Sequence, residues 1–319
     1  MSFLGVDLGA TKVYGVVQHG EKVKREAKRK TPTKGGPDAV VQTIADLVDD
    51  LGGVDRVDGV GVGAPGAVDH AAGVVQQAPN LAGWEQGGVP LASLVSKALG
   101  GAPVFLDNDA NVGTLAEHRL GAGRGASDVL GVWVGTGVGG GVILDGHLRR
   151  GPTGYAGEIG HVLVRPGGRT CGCGLVGHLE AYAGRAAIER EARRRAAAGE
   201  PSKLVELAGD GRMTSSVILA AQEAGDVVVL ELLDEAVSAL GVAIASAVTL
   251  LDLELVVLGG GITDRLGPAF AGRVEQAARQ QVFARGSPLC VVPAGLGDRA
   301  GAVGAALMAA SSASSASSA

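Results

Sequence analysis

The sequence has few cysteines, few aromatic residues and no long apolar run. Three cysteines among 319 residues cannot build a closed disulfide framework, and a clustered pair in a reducing compartment favours a metal site. Aromatic residues make up 3% of the chain. No apolar stretch reaches membrane-spanning length, so we expect no membrane contact. The first residues lack a basic leader and a small-residue cleavage site, and we therefore expect a cytoplasmic protein.

The charge balance excludes further partners. The formal net charge is -5 and the sequence pI is about 5.7. An acidic chain has no general attraction for nucleic acid or for an anionic membrane surface. We therefore expect no nucleic-acid partner, and any phosphate group has to be bound by local donors.

Hydrophobic residues and glycine are abundant instead. Hydrophobic residues make up 46% of the chain and glycine accounts for 54 residues, which allows an extensive core with many tight turns. Short apolar strands alternate with amphipathic helices, a pattern typical of α/β proteins. The strand and glycine-turn layout of residues 3–18 is repeated from "VLGVWVG" onward. A chain of this length with a repeated layout predicts two α/β lobes.

The predicted lobes have definite boundaries. We expect residues 1–108 to form a small N-terminal α/β lobe, which a C-terminal helix at 298–310 completes. Residues 109–297 then form the large α/β lobe, and a cysteine-containing loop occupies 161–180. The Ser/Ala-rich end at 311–319 is low in complexity and is predicted to be disordered.

Two glycine-rich turns have the composition of phosphate-binding loops. "DLGATK" begins at residue 7 and "GTGVGGG" at residue 135, and each follows an apolar strand. Glycine lets backbone amides approach a polyanion, and a threonine adds a hydroxyl. The predicted nucleotide-binding and phosphate-binding residues of these turns are Asp7, Gly9, Thr11, Lys12, Thr136, Gly137 and Gly139. An ordinary hairpin turn without a ligand is the alternative for each.

The residue types within and beyond these turns suggest finer roles. Asp7 is suited to binding hydrated Mg2+, whereas Lys12 is either a phosphate partner or a strand-edge charge. A third strand, "LVVLGGGI", ends at Gly260 and Gly261, where the backbone can pack flat against a nucleotide. None of these stretches has the spacing of a Rossmann fingerprint or of a P-loop.

A polar cluster lies where a strand is expected to become a helix. "VFLDNDANVG" contains Asn108 and Asp109 at that transition. An Asp at this position most often caps the helix. Alternatively, Asp109 accepts a proton from a substrate hydroxyl while Asn108 binds a neighbouring hydroxyl. Position alone leaves both roles open.

The segment "HVLVRPGGRTCGCGLVGHLE" allows three interpretations: a metal site, a redox pair, or a glycine-rich loop with incidental sulfur. Its four metal-binding side chains are His161, Cys171, Cys173 and His178. Two sulfurs and two imidazoles fit tetrahedral Zn2+ best, and four protein ligands imply a structural ion. The remaining cysteine, Cys290, is predicted to be a buried strand residue.

The ordered motifs "DLGATK", "GAPGAV", "PNLAGW", "NDANVGTLAE", "GTGVGGG", "GEIGH" and the cysteine loop resemble the ROK family of sugar kinases and related repressors. The resemblance covers Phe3 to Met308. It implies a two-lobed actin-like, ribonuclease-H-like (ASKHA) sugar kinase fold that closes on sugar and ATP. The chain departs from the family pattern at His178, where the family usually has a third cysteine in the zinc loop.

The resemblance also implies roles for individual residues. Asp109 matches the catalytic base that takes the proton from the sugar hydroxyl, usually at C6. The implied sugar-binding residues are Gly66, Asn108, Asp109, Glu158, His161 and Glu180. The implied cofactors are structural Zn2+ on the cysteine loop and Mg2+ with ATP. The implied task of Zn2+ is to orient His161 and Glu180.

The activity that these features predict is an ATP-dependent hexokinase, most like a glucokinase that converts glucose to glucose 6-phosphate. Mannose, fructose or N-acetylmannosamine as acceptor, or polyphosphate as donor, remain alternatives. The family's polyphosphate users tend to lack the cysteine loop, which favours ATP. A sugar-responsive repressor would need a helix-turn-helix before Asp7, where only six residues stand, so we expect a kinase. Similarity suggests a homodimer or homotetramer.

Overall fold

The computed structural model describes residues 1–78, 81–84 and 86–316. The motif "PNLAGW" therefore lies partly outside the described residues. The backbone divides into two compact units. Unit 1 is Met1–Gly125, Gly141–Gly157 and Asp298–Ala319, and unit 2 is Ala126–Gly140 and Glu158–Gly297.

Unit 1 contains a mixed five-stranded sheet with the order β3-β2-β1-β4-β7. The strands of this part of the chain are β1 (Ser2–Leu8), β2 (Lys12–His19), β3 (Lys22–Lys30), β4 (Val60–Ala64), β5 (Ala67–Asp69), β6 (Val74–Gln77) and β7 (Val104–Asn108). β1 is antiparallel to β2, whereas β1, β4 and β7 run parallel. The carboxyl ends of these three parallel strands therefore lie at one edge of the sheet. β5 and β6 form a separate hairpin.

Helices cover both faces of this sheet. The helices of unit 1 are α1 (Gly36–Asp50), α2 (Leu91–Ala98), α3 (Asp109–Leu120) and α10 (Ala300–Ala316). A Cβ placed on Gly15 of β2 would lie 2.8 Å from Leu51 and 2.9 Å from Leu47, so α1 and the residue that follows it cover that face. The apolar side chains of α1, α2 and the sheet form one buried cluster. Gly15 is opposite Val6 of β1, and the next residue along β1, Gly5, points to the other face. Gly5 contacts α10, so this helix covers the opposite face.

Helix α10 approaches the sheet more closely than side chains would permit. A Cβ on Gly5 would lie 1.9 Å from the carbonyl oxygen of Ala302, and one on Gly61 would lie 1.9 Å from that of Ala305. Gly304 of α10 has the same relation to α3, since its Cβ would lie 1.7 Å from the carbonyl oxygen of Val112. The absence of side chains at these glycines therefore sets the position of α10.

The second sheet repeats the plan of the first, in the order β10-β9-β8-β11-β12. Its strands are β8 (Val129–Val134), β9 (Val138–Leu144), β10 (His147–Arg149), β11 (Leu255–Gly259) and β12 (Cys290–Pro293). A glycine turn connects β8 to its neighbour β9, and β8, β11 and β12 run parallel. The glycine-turn repeat read from the sequence thus corresponds to two similar sheets.

Unit 2 carries the remaining helices. They are α4 (Glu180–Ala183), α5 (Arg185–Ala197), α6 (Lys203–Ala208), α7 (Ser215–Glu223), α8 (Val227–Leu251) and α9 (Gly261–Arg279). Asp226 caps α8 by accepting bonds from the amides of Val228 and Val229. Helix α9 is absent from the predictions, because Gly267 and Pro268 interrupt its sequence pattern. The structure accommodates them in a kink, where Gly267 has φ 70°.

The predicted domain boundary at residue 108 is wrong. Helix α3 packs on α10, β4 and β7, so residues 109–125 belong to unit 1. Residues 141–157 also belong to unit 1. Sequence reasoning placed the boundary at a strand end, although the apolar side chains of the next helix need the same core.

Two further local predictions are corrected. Cys290 lies in β12 as expected, but its side chain is exposed, because this edge strand turns Val291 inward instead. The predicted disordered end is helical through Ala316 as the continuation of α10, which suits alanine's high helix propensity. Residues 317–319 lie outside the described residues. Among the described helices, none combines the length and apolar character needed to cross a bilayer.

Two helical glycines should respond oppositely to alanine. Alanine favours a helix over glycine by about 1 kcal/mol, yet a Cβ on Gly304 would overlap the Val112 carbonyl. We expect Gly304→Ala to lower the free energy of unfolding by about 1–3 kcal/mol, as overpacking does. Gly272→Ala in α9, where a Cβ would meet no atom within 4 Å, is the control and should be neutral or stabilising. Urea unfolding measures both, and equal stabilisation would contradict the packing argument.

Candidate active site

The first glycine turn joins β1 to β2. The amide of Gly9 donates to the carbonyl oxygen of Lys12 (2.9 Å), and the hydroxyl of Thr31 donates to the carbonyl oxygen of Gly9 (2.6 Å). Both backbone groups of Gly9 therefore stabilise the turn itself. The amides of Ala10 and Thr11 have no acceptor among the described residues, and these are the donors that the turn offers to an anion.

Asp7 and Lys12 flank this turn with opposite charges. Burial raises the pKa of Asp7 to about 6, while the charge of Lys12 lowers it and that of Asp298 raises it. Lys12 pairs with Asp298 at 2.7 Å between Nζ and Oδ2. This ion pair is an additional contact of Lys12, and its roles as a phosphate partner or a strand-edge charge stay predictions. The Asp7 carboxylate packs against Gly301, where a Cβ would lie 2.6 Å from Cγ.

Asn108, rather than Asp109, caps helix α3. The side-chain oxygen of Asn108 accepts bonds from the amides of Ala110 (2.9 Å) and Asn111 (3.2 Å). Its Nδ2 donates to the carbonyl oxygen of Gly66 at 2.9 Å, and one Nδ2 hydrogen is left over. Asp109 is the first helical residue and is partly exposed. The capping role weighed for Asp109 therefore belongs to its neighbour.

A partly buried ion pair supports this strand-to-helix turn. Asp107 is 2% exposed, and its Oδ2 accepts a bond from Nε of Arg150 at 2.7 Å. Its Oδ1 accepts from the amide of Asn108 (2.8 Å) and from Nδ2 of Asn111 (3.0 Å). Sequence reasoning assigned no role to Asp107 or Arg150, because the two lie 43 positions apart. The pair fixes the backbone from which Asn108 and Asp109 project.

Strand register brings the predicted residues of unit 1 to one edge of the sheet. Asp7 of β1 is opposite Gly63 of β4, and Gly63 is opposite Asp107 of β7. Two strand spacings put the backbones of Asp7 and Asp107 roughly 10 Å apart. The glycine turn and the Asn108–Asp109 turn thus leave the sheet side by side.

The second glycine turn joins β8 to β9 and is tied to Glu180. Gly135 donates its amide to the carbonyl oxygen of Gly137 at 2.9 Å, and Val138 donates to Oε2 of Glu180 at 3.0 Å. A Cβ on Gly137 would lie 2.1 Å from Glu180 Oε2, so a side chain at this position would displace the Glu180 carboxylate. The amides of Thr136 and Gly137 have no acceptor in the part of the chain described. This turn therefore repeats the donor arrangement of the first.

The third glycine turn lies between β11 and α9. Gly260 has φ 96°, and its Cβ would lie 2.6 Å from the carbonyl oxygen of Val134. Gly261 begins α9 beside Ser215, whose Oγ would be 3.2 Å from a Cβ on Gly261. Gly260 thus permits the backbone of β8 to approach this turn. Gly139 of the second turn follows Val138 within β9.

The four predicted metal-binding side chains come together in unit 2. The donor atoms of His161, Cys171, Cys173 and His178 all lie within 4.8 Å of one another. His161 Nδ1 is 3.8 Å from Cys171 Sγ, and His178 Nδ1 is 3.3 Å from Cys173 Sγ. All three cysteines are free. The imidazole of His178 therefore reaches the cluster.

These distances can be compared with a tetrahedral ion. Zn–S bonds of about 2.3 Å and Zn–N bonds of about 2.0 Å imply separations between ligand atoms of roughly 3.3–3.8 Å. Two of the pairs, at 3.8 and 3.3 Å, lie in that range, whereas the four atoms together lie within 4.8 Å of one another, and two sulfurs with two imidazoles are a common zinc ligand set. Burial raises the pKa of the Cys171 thiol, which argues against a reactive redox thiolate. The residues present fit a metal site.

Two carboxylates lie close to this cluster. Burial raises the pKa of Glu158, while the neighbouring charge of His161 lowers it and that of Glu180 raises it. Cys171 Sγ lies 3.7 Å from Oε1 of Glu180. Glu158, His161 and Glu180 therefore form one polar group, which Glu180 connects to the second glycine turn. A set of two carboxylates and an imidazole can bind several neutral hydroxyls.

Comparison with known proteins identifies the family. The model of the ROK family matches residues 3–312. The glucokinase of Thermotoga maritima is 34% identical over 87% of this chain and 92% of its own length, and that of Streptomyces coelicolor is 35% identical over 95% and 96%. A crystal structure of a ROK family glucokinase from Streptomyces griseus, in complex with glucose and AMPPNP, has a TM-score of 0.83 and 34% identity over 98% of this chain and all of that one.

The structural match confirms the predicted fold class, an actin-like α/β fold with one sheet plan repeated. The family model spans nearly all of the described residues, and two curated relatives exceed 30% identity over most of the chain. The protein belongs to the ROK family.

Proposed function

We propose that this protein is an ATP-dependent glucokinase, which converts D-glucose and ATP to D-glucose 6-phosphate and ADP. The turn at the carboxyl end of β7 is the structural feature that best supports this activity. Asn108 caps α3 there, and the partly exposed Asp109 carboxylate, whose Oδ1 accepts a bond from the amide of Ala110 at 2.8 Å, lies at the start of the helix. The relatives described above, two glucokinases and a glucokinase bound to glucose and an ATP analogue, support glucose as acceptor and ATP as donor.

In this mechanism Asp109 is the general base. Its carboxylate takes the proton of the C6 hydroxyl as that oxygen bonds to the γ-phosphorus of ATP. The bond from the γ-phosphorus to the bridging oxygen breaks, and ADP leaves with the electron pair. Phosphoryl transfer depends chiefly on in-line positioning and charge stabilisation, so placing the hydroxyl is the main task of the protein.

The remaining sugar ligands are proposed from the hydrogen bonds observed within each unit. In unit 1, the second Nδ2 hydrogen of Asn108 donates to a hydroxyl, and Gly66 is held beside it. In unit 2, the hydroxyl ligands are Glu158, His161 and Glu180. Because Nδ1 of His161 faces the cysteine cluster, its Nε2 is the nitrogen that donates to the sugar.

Backbone amides and the hydroxyls of Thr11 and Thr136 are proposed to hold the phosphates. The available amides lie in the two glycine turns, at Ala10 and Thr11 and at Thr136 and Gly137. Gly260 and Gly261 provide a flat backbone surface for the nucleoside. Mg2+ would supply charge neutralisation at the β- and γ-phosphates. We propose Asp7 as the ligand of the hydrated Mg2+ ion. Burial disfavours its ionised carboxylate and raises its pKa to about 6. A nearby cation would offset this cost of ionisation.

The cysteine cluster is proposed to hold structural Zn2+ through His161, Cys171, Cys173 and His178. The gathering of the four donor atoms within 4.8 Å of one another, with two sulfur–nitrogen pairs at 3.8 and 3.3 Å, supports this assignment. Four protein ligands leave no open position for a reacting water. The ion would keep His161 and Glu180 in place for the sugar. The cytoplasmic location and the oligomeric state stay predictions from the sequence.

A substrate panel tests the activity. Purified protein with Mg2+ is given ATP or polyphosphate and one of glucose, mannose, fructose or N-acetylmannosamine. Sugar phosphate is detected directly, so that ATP hydrolysis alone does not count. We expect ATP and glucose to give the highest kcat/KM. Absence of sugar phosphate with every acceptor would overturn the kinase assignment, and a faster reaction with another hexose would change the substrate.

Asp109→Asn should remove catalysis but not glucose binding. Loss of a general base typically lowers the rate by about 10²–10⁴-fold, and Asn keeps the size of the side chain. We expect kcat to fall by that factor while the glucose Kd from calorimetry stays within a few-fold. Asp38→Asn, in the first turn of α1, is the control and should keep full activity. An Asp109→Asn enzyme with near-normal kcat would assign the base elsewhere.

Elemental analysis tests the metal. By the four-ligand argument, we expect about one Zn2+ per chain in the wild type. His178→Ala should reduce the zinc content and the melting temperature, whereas His178→Cys should retain zinc. His147→Ala, at an exposed position in β10, is the control. Undiminished zinc in His178→Ala would remove His178 from the ligand set, and a wild type without zinc would refute the site.

A further inference from the structure

Arg185 is a buried cation for which the reaction scheme has no role. It is the first residue of α5 and is only 7% exposed. Burial lowers the pKa of its guanidinium, and the charge of Arg212 lowers it further. A buried charge is costly unless its donors are satisfied. The contacts of Arg185 therefore indicate what the position achieves.

Two hydrogen bonds define the orientation of the guanidinium. Nη2 donates to Oγ1 of Thr136 at 2.8 Å, and Nη1 donates to the carbonyl oxygen of Met213 at 2.9 Å. The nearest carboxylate oxygen, Oε2 of Glu189, lies 3.8 Å from Nη1. The closest contacts of the Arg185 guanidinium are thus the Thr136 hydroxyl of the second glycine turn and the Met213 carbonyl. Its distance to the Glu189 carboxylate is longer than either.

The bond to Thr136 constrains the threonine proton. A hydroxyl has one hydrogen and two lone pairs. Since the guanidinium donates and cannot accept, Oγ1 of Thr136 must be the acceptor, and its own hydrogen points to another partner. A phosphate oxygen can accept such a hydrogen. The guanidinium charge, which is hydrogen-bonded to Oγ1, makes the threonine hydroxyl a stronger donor.

The backbone around Arg185 orients the same turn. The amide of Arg185 donates to the carbonyl oxygen of Gly135 and that of Ala186 to the carbonyl oxygen of Thr136, both at 3.0 Å. The turn's carbonyls thus face α5. Its two amides without acceptors among the described residues, those of Thr136 and Gly137, are left for an anion.

The second hydrogen bond of the guanidinium, from Nη1 to Met213, connects it to the segment beside the third glycine turn. Met213 is fully buried and directly precedes Thr214, which caps α7. Ser215, the first residue of α7, lies beside Gly261. One side chain therefore links the phosphate turn to the segment that borders the third glycine turn.

We propose that Arg185 is a positioning residue for ATP: it holds the Thr136 hydroxyl as a donor to a phosphate oxygen and locks the second glycine turn to the Met213 segment. This inference rests on the proposed function. Arg185 itself does not touch the nucleotide. Its effect passes through Thr136, which makes the coupling between these two residues measurable.

The test compares Arg185→Met and Arg185→Lys with Thr136→Val and the double variant Arg185→Met/Thr136→Val. Loss of a charge-assisted hydrogen bond predicts a rise in KM for ATP of about 10–100-fold for Arg185→Met. KM for glucose should change by less than about 3-fold, since the contacts lie on the nucleotide side. Arg185→Lys keeps the charge but not the two-armed geometry and should be intermediate.

The double variant should bind ATP no more weakly than Thr136→Val alone, because Arg185 acts through that hydroxyl. Arg195→Gln is the control. Arg195 lies on the same helix in a partly buried ion pair with Glu200 and Glu231, so its loss should lower stability without raising KM for ATP. The Kd of a non-hydrolysable ATP analogue, measured by calorimetry, should follow the KM changes.

Three results would overturn the inference. They are a lower melting temperature in Arg185→Met with unchanged nucleotide affinity, fold-changes of the two substitutions that multiply in the double variant, and equal rises in KM for ATP and for glucose. Should Arg185→Met not fold, Arg185→Lys alone decides the matter through the same affinities. A wild type that binds the nucleotide analogue but phosphorylates no sugar would refute the glucokinase proposal and leave the Arg185 result interpretable.

Discussion

Backbone approach closer than a Cβ would permit is the constraint on which this structure depends. Helix α10 reaches β1 and β4 only because residues 5 and 61 are glycine. The same condition shapes the candidate site. Gly137 lets the Glu180 carboxylate lie against the second glycine turn, Gly260 lets the third turn approach β8, and Gly301 leaves space for the Asp7 carboxylate. At these positions glycine therefore serves close packing.

Charges buried by this packing are held by specific partners. Asp107 and Arg150 fix the turn that presents Asn108 and Asp109. In unit 2, Arg185 binds the Thr136 hydroxyl of the second glycine turn, and Glu180 joins that turn to the cysteine cluster. Partners of this kind align the candidate site residues, since a hydrogen-bonded charge in a dry environment has one favoured orientation. Preorganisation of the donors is what phosphoryl transfer requires.

Much of the candidate site could be proposed from the sequence because its residues lie in short motifs. Asp109 stands at a strand end, the glycine turns follow apolar strands, and the cysteine loop places four ligands within eighteen positions. Local spacing is enough for such groups. The partners of these groups were not predictable, because Arg150 meets Asp107 and Arg185 meets Thr136 only after distant segments pack. Helix α9 escaped prediction for another reason, since a kink at Gly267 breaks its periodicity.

The sequence by itself determined the α/β class, the repeated strand and turn plan, the metal-binding residue types and the candidate base, because periodicity and local chemistry are written along the chain. Only the tertiary structure decided that α3 belongs to unit 1, that Asn108 and not Asp109 caps it, that Lys12 pairs with Asp298, and that His178 reaches the sulfur cluster. These outcomes depend on which atoms of distant residues meet. Competition among neighbours for the same hydrogen bonds is settled by packing and not by spacing.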